Sequence, residues 1–173
     1  MTRLNSRVSV FALLAIVLAA APAFAQQEQG DKSFSGYGSL SFAKAGDSGT
    51  YAMGVIGATL GVFATKQLEI GGSAALLFSG GAGSGTDVSG TIGAYGRQYF
   101  LQDRTRPYVG LQILKPVASG ATGFYAQAAV GVRQYINRNG SVFIEANYGM
   151  AHAEGETIWQ DYPGLVFGFA VVF

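Results

Sequence analysis

The sequence predicts an all-β protein, an eight-stranded antiparallel up-and-down β-barrel that crosses a membrane. Three observations predict it. Apolar and polar residues alternate with period two in eight segments of about ten residues, separated by turn chemistry. Charged residues make up only 12% of the chain, roughly half the share of a soluble domain. Beyond the N-terminal leader no apolar run is long enough for a spanning helix, so a membrane would have to be crossed with strands.

Residues 1–25 read as a secretory signal peptide. Arg3 and Arg7 form the positive region, Val8–Ala21 the apolar run, and Ala23 and Ala25 the small residues before a cleavage site, placed after Ala25. The run is short for a span of ~20 residues. Residues 26–33 are expected to be a disordered lead-in, and 34–173 a single barrel domain. Removing Arg3 and Arg7 from the 11 basic residues leaves nine against 10 acidic ones, a formal charge of −1. No basic face remains for nucleic acid. With no cysteine, a disulfide scaffold, a Cys-ligated zinc site and a lipid-modified N-terminal cysteine are excluded.

The strands are expected at 34–43, 51–63, 68–78, 88–100, 107–115, 123–135, 142–152 and 164–173. The second is interrupted by glycine and its alternation is unclear. In the third, Leu68, Ile70, Gly72, Ala74, Leu76 and Phe78 oppose Glu69, Gly71, Ser73, Ala75 and Leu77. In the fourth, Val88, Gly90, Ile92 and Ala94 oppose Ser89, Thr91, Gly93, Tyr95 and Arg97. The sixth sets Phe124, Ala126, Ala128, Val130 and Val132 against Tyr125, Gln127, Ala129, Gly131 and Arg133. The seventh sets Val142, Ile144, Ala146, Tyr148 and Met150 against Phe143, Glu145, Asn147 and Gly149. In the eighth, Leu165, Phe167, Phe169, Val171 and Phe173 share a face. Turns lie at Thr65–Gln67, Gln102–Arg106 and Asn137–Gly140, and Gly80–Asp87 is a flexible loop. Pro107, Pro116 and Pro163 sit at strand ends, where a missing N–H is tolerated.

A soluble barrel carries charge outside and apolar residues inside, and a membrane barrel inverts this. The polar faces here are mostly Ser, Thr, Gly, Asn, Gln and Tyr, too weakly charged for a water-facing exterior. They suit a narrow lumen in which Gly leaves room for Tyr and Arg. Aromatics gather at strand ends, with Phe63, Tyr99, Phe100, Tyr108, Tyr135 and Phe143 at one end. Phe42, Tyr51, Phe78, Phe124, Trp159 and Tyr162 lie at the other. Two girdles at the bilayer interfaces are expected from them.

The ending Leu165–Phe173 is similar to the C-terminal strand of bacterial outer membrane proteins, with alternating apolar residues and a terminal aromatic. The strand end Gly96-Arg97-Gln98-Tyr99-Phe100, followed by Pro107-Tyr108-Val109-Gly110, resembles the small outer membrane β-barrel domain family. That family includes the membrane domain of outer membrane protein A and outer membrane protein X. The resemblance covers roughly residues 34–173. It implies a bacterial outer membrane location, contact with outer membrane lipids and lipopolysaccharide, and a monomer. It also implies that Phe169, Val171 and Phe173 form the signal read by the barrel assembly machinery. Eight strands put both termini in the periplasm. The connections at 64–67, 101–106 and 136–141 are then periplasmic, and those at 44–50, 79–87, 116–122 and 153–163 face outward.

Alternation points Glu69, Arg97, Arg133 and Glu145 into the lumen near its periplasmic end. Hairpin neighbours are expected to bring Glu69 to Arg97 and Arg133 to Glu145. Tyr95, Gln112, Tyr125, Gln127 and Asn147 would fill the space around this neutral cluster. A hydrogen-bonded plug is the favoured reading, and an ion gate that opens by re-pairing is the alternative. A structural, envelope-integrity barrel is therefore expected first, and a narrow porin-like channel second.

A lipid A-modifying enzyme is the third reading, and no enzyme is expected. The single histidine, His152, falls on the lipid face, and only a distant Ser79 or Ser119 would offer a nucleophile. No cofactor is expected. With one His and no Cys, only carboxylates at the loops (Asp47, Asp87 and Asp161) would offer weak hard-cation binding.

Overall fold

A computed structural model describes residues 27–44, 50–81, 85–117, 123–153, 156–159 and 164–173. The segment expected to be a signal peptide lies outside these residues, as do Asp47, Ser119 and Asp161. The strands are β1 (Lys32–Lys44), β2 (Thr50–Phe63), β3 (Leu68–Gly81), β4 (Asp87–Tyr99) and β5 (Thr105–Pro116). They continue as β6 (Phe124–Tyr135), β7 (Gly140–Ala153), β8 (Glu156–Trp159) and β9 (Gly164–Val172).

Each strand from β1 to β7 pairs antiparallel with the next. β9 then pairs with both β7 and β1 and closes the cylinder. β8 continues β7's ladder beyond β9, from Met150↔Trp159 to Ala153↔Glu156. β8 and β9 together make the eighth stave, so the fold is the expected closed antiparallel barrel of eight strands. The stretch 153–163 was expected to be loop throughout. β8 forms inside it because Thr157, Ile158 and Trp159 favour extended backbone, in a run too short to show a period.

Alternation is expressed as burial. Leu40, Ile56, Ile92, Leu111, Val130 and Phe167 all point outward and are more than half exposed. Ser33, Thr59, Glu69, Tyr95, Arg97, Arg133 and Glu145 point inward and are buried. A closed barrel with apolar residues outside and ions inside is suited to hydrocarbon, where every backbone polar group must be paired within the wall.

The unclear alternation of β2 has a structural cause. Gly57 lies in register with Tyr37, and a Cβ there would overlap the Tyr37 ring. The same pairing recurs where Gly131 faces Tyr108 and Gly168 faces Phe143. Each inward aromatic lies over the glycine of its neighbouring strand, so the narrow lumen holds large rings without expanding. Outside, the Phe169 ring lies over Gly36 and the Phe78 ring over Gly54, covering strand positions that have no side chain.

The lead-in expected at 26–33 is described from residue 27, and its end belongs to the first strand. Lys32 and Ser33 belong to β1. The Gly30 amide donates to the Phe63 carbonyl at 2.8 Å and the Phe63 amide to the Asp31 carbonyl at 2.9 Å. Gln27 is buried. This short segment continues the ladder past the end of β2 because the Phe63 backbone offers both a donor and an acceptor there.

Candidate functional site

The inward side chains near the termini form a buried ionic floor. Glu69 on β3 is its most heavily bonded member. Its carboxylate accepts from Ser33 Oγ at 2.6 Å, Tyr95 OH at 2.8 Å and Tyr99 OH at 2.6 Å. Arg133 Nη1 on β6 lies 3.2 Å from Glu69 Oε2. Arg97 Nη2 on β4 lies 3.5 Å from Glu145 Oε2 on β7, and Tyr108 OH donates to that same oxygen at 2.9 Å.

The ion pairs are thus exchanged relative to the sequence expectation. Glu69 and Arg97 are register partners on adjacent strands, but each pairs with a residue three strands away. The physical reason is the width of the barrel. An eight-stranded lumen is just wide enough for side chains to fill. Long inward side chains reach its axis and meet partners from the far wall.

The expected aromatic girdle at this end is also corrected. Phe63, Tyr99, Tyr108, Tyr135 and Phe143 are buried inside the barrel, while Phe100 alone of that set is exposed. Their inner rings meet the guanidinium groups. Arg97 Cζ lies 4.8 Å from the Tyr95 ring centroid and 5.5 Å from those of Tyr108 and Phe143. Arg133 Cζ lies 5.2 Å from the Tyr99 centroid. Desolvated contacts of this kind are each worth up to about 2 kcal/mol.

Sequence reasoning missed Arg106. It lies at the start of β5, fully buried, with its Nε donating to the Asp103 carbonyl at 3.0 Å and its guanidinium 5.3 Å from the Tyr135 centroid. The floor therefore holds three arginines and two glutamates, and is not neutral by side-chain count. Arg106 shares its parity with Tyr108 and Gln112, which was the available signal.

Gln112, Tyr125, Gln127 and Asn147 line the inner wall above the floor. Gln112 Nε2 donates to Ser73 Oγ at 2.7 Å, and Tyr37 OH lies 3.3 Å from the same oxygen. Tyr125, Gln127 and Asn147 are half-buried.

His152 is placed on the outer face with its ring 5.5 Å from that of Phe124. Its Nδ1 lies 2.9 Å from Thr157 Oγ1 on β8. The expectation that only a distant serine could supply a hydroxyl is corrected: β8, which the sequence did not reveal, brings one beside the imidazole. Among the described residues no group of three His, Cys, Asp or Glu side chains could hold a metal ion.

No family model matches the sequence. No curated protein matches it. Two solved structures are similar in fold. The N-terminal β-barrel domain of Pseudomonas aeruginosa OprF is 16% identical, with a TM-score of 0.52 over 85% of this chain and 100% of that one. The outer membrane protein OprG from Pseudomonas aeruginosa is 10% identical, with a TM-score of 0.48 over 87% and 99%. The fold is that of the small outer membrane β-barrels.

Proposed function

We propose that the protein is a structural barrel of a bacterial outer membrane whose lumen is plugged. The carrying observation is the ionic floor, in which Glu69, Arg133, Tyr99 and Arg106 are all at least 99% inaccessible. Charges removed from water to this extent persist only when paired and hydrogen-bonded, and an ion path through them would need the pairs to part. In this reading residues 1–25 export the chain and are cleaved after Ala25. Both termini lie in the periplasm. Phe169, Val171 and Phe173 present the strand that the assembly machinery reads, and the monomeric barrel sits among outer membrane lipids and lipopolysaccharide without a catalytic role. The test is single-channel conductance of refolded protein whose gel mobility shifts on boiling. Silence is the expected result, and steady discrete openings would replace the plug with a narrow porin-like channel.

One observation favours a second reading. The His152–Thr157 contact of 2.9 Å is the geometry of a base beside a hydroxyl, on the face that meets lipid. A lipid-modifying activity would then require both residues. Lipid A from cells making wild type should be unmodified; a modification lost in both His152→Ala and Thr157→Ala would establish this reading instead.

A further inference from the structure

Among the described residues the outward rows of β2–β7 carry one formal charge, Lys115, at the end of β5 away from the termini. It is exposed, and the ion pairs among the described residues both lie in the floor. A lysine directed at lipid is unfavourable except near the interface, where its stem lies along apolar surface and its ammonium meets a headgroup. Strand register sets what stands beside it. The β5–β6 ladder ends at Leu114↔Tyr125, which makes Phe124 the next neighbour of Lys115. Phe124 pairs with His152 on β7, and His152 with Thr157 on β8. One level of the outward face thus runs Lys115, Phe124, His152, Thr157. The His152 ring lies 5.5 Å from that of Phe124, and its Nδ1 is 2.9 Å from Thr157 Oγ1, which leaves Nε2 to another partner. β5 and β7 are two strand spacings apart, so Lys115 and His152 are anchored about 10 Å from each other.

Beneath this row β6 forms a trough. Ala126 lies between Ile113 and Met150, and Ala128 between Leu111 and Tyr148. Leu111 and Ile113 are more than half exposed and stand above the alanines, whose side chains end at Cβ. Val130, also more than half exposed, closes the trough below. From Phe124 to Val130 the trough follows about 20 Å of strand, or roughly 15 Å of depth at the usual barrel tilt. That is about half the hydrocarbon thickness of a bilayer, the depth of one leaflet.

We propose that this face of β5–β7 holds one lipopolysaccharide molecule of the outer leaflet, with an acyl chain in the alanine trough, a lipid A phosphate on Lys115 and a sugar hydroxyl on His152 Nε2. The spacing carries the lipid class. A glycerophospholipid sets one phosphate over its chains, whereas the phosphorylated disaccharide of lipid A is broad enough to reach both polar positions. The proposal rests on the outward placement of this end in the reading above, and adds the lipid's contacts. It also gives the His152–Thr157 pair a binding role in which no bond is made or broken.

The protein is refolded in dodecyl maltoside, its fold is checked by the gel shift on boiling, and it is titrated with bis-phosphorylated lipid A in the same detergent. Trp159, the single tryptophan of the chain, reports binding, since its backbone pairs with Met150 beside the trough. Phosphorus in the barrel peak on gel filtration gives the stoichiometry. Saturation at one lipid A per barrel is expected. Lys115→Ala should weaken binding about tenfold, the scale of one charge-assisted contact, and Lys115→Arg should restore it. Ala128→Phe fills the trough and should weaken binding at least as much with both polar positions intact. Dephosphorylated lipid A should bind wild type no better than intact lipid A binds Lys115→Ala. No saturation, an unchanged Lys115→Ala, or phosphatidylglycerol bound as tightly as lipid A overturns the proposal. So does a covalently altered lipid A that His152→Ala abolishes, which would make the site an enzyme's. Conductance is recorded on the same preparation: openings would remove the plug and leave the lipid site standing, whereas absent lipid A binding removes the site and leaves the plug.

Discussion

Replacing Glu69 by Gln would remove a charge and almost no volume. The side chain is fully buried. It takes three hydroxyl hydrogen bonds, at 2.6, 2.8 and 2.6 Å, and lies 3.2 Å from Arg133. In Glu69→Gln the Arg133 guanidinium keeps its charge, since arginine does not deprotonate in proteins, and it remains 1% exposed. Breaking one side of a buried ion pair costs ~3–5 kcal/mol. The Gln carbonyl can still accept from some of the hydroxyls, and Tyr99 still faces the guanidinium, so a loss near ~3 kcal/mol is expected. The same physics predicts coupling. Glu69→Gln/Arg133→Met removes both charges and should be more stable than Glu69→Gln alone, because an apolar replacement of a whole buried pair is often neutral. A coupling energy of ~1.5–3 kcal/mol should emerge from the double-mutant cycle. The assay is urea unfolding of barrel refolded into lipid vesicles, followed by tryptophan fluorescence and by gel mobility without boiling. A loss below about 1 kcal/mol, the scale of one ordinary hydrogen bond, or strictly additive effects would refute the account of the floor.

Two further outcomes follow from packing and from the chain end. A Cβ at Gly93 would overlap the Ile113 carbonyl oxygen and sit 2.8 Å from Leu114 Cα, both backbone atoms of β5. Gly93→Ala should therefore lose about 2 kcal/mol, as overpacked sites do, and Gly72→Ala, whose nearest atom would be 3.8 Å away, should change stability by no more than ~0.5 kcal/mol in the same urea assay. The Phe173 side chain is 64% exposed, while its backbone exchanges two hydrogen bonds with Lys32 of β1, each 2.9 Å long. Phe173→Ala keeps both backbone bonds and should leave refolding in detergent unchanged but lower the amount of folded barrel in cells, read by gel mobility of membrane fractions; equal loss in both settings would assign the Phe173 ring to stability, not recognition.

Much of the architecture was legible because alternation is a local property. Leu68, Ile70 and Leu76 against Glu69 and Ser73 sort themselves to lipid and lumen with no knowledge of the rest of the chain. At the strand ends, parity and position along the strand point in different directions. Tyr99 continues the inward row of Tyr95 and Arg97, and Tyr108 that of Gln112, yet their places at strand ends suggested an interfacial girdle. Arg106 was hidden in the same way, inside a segment read as a turn. All three share the parity of the inward row on their strands.

The sequence alone determined the strand number, the inverted surface and the inward direction of Glu69, Arg97, Arg133 and Glu145, since each depends on neighbours two residues apart. Only the tertiary structure decided which charges meet. Ion pairing across the lumen between β3 and β6, and between β4 and β7, depends on barrel width and stagger, set by all eight staves together. The same holds for the hydroxyl that β8 carries to His152. Each is a relation between segments far apart in the chain, and no local periodicity encodes it.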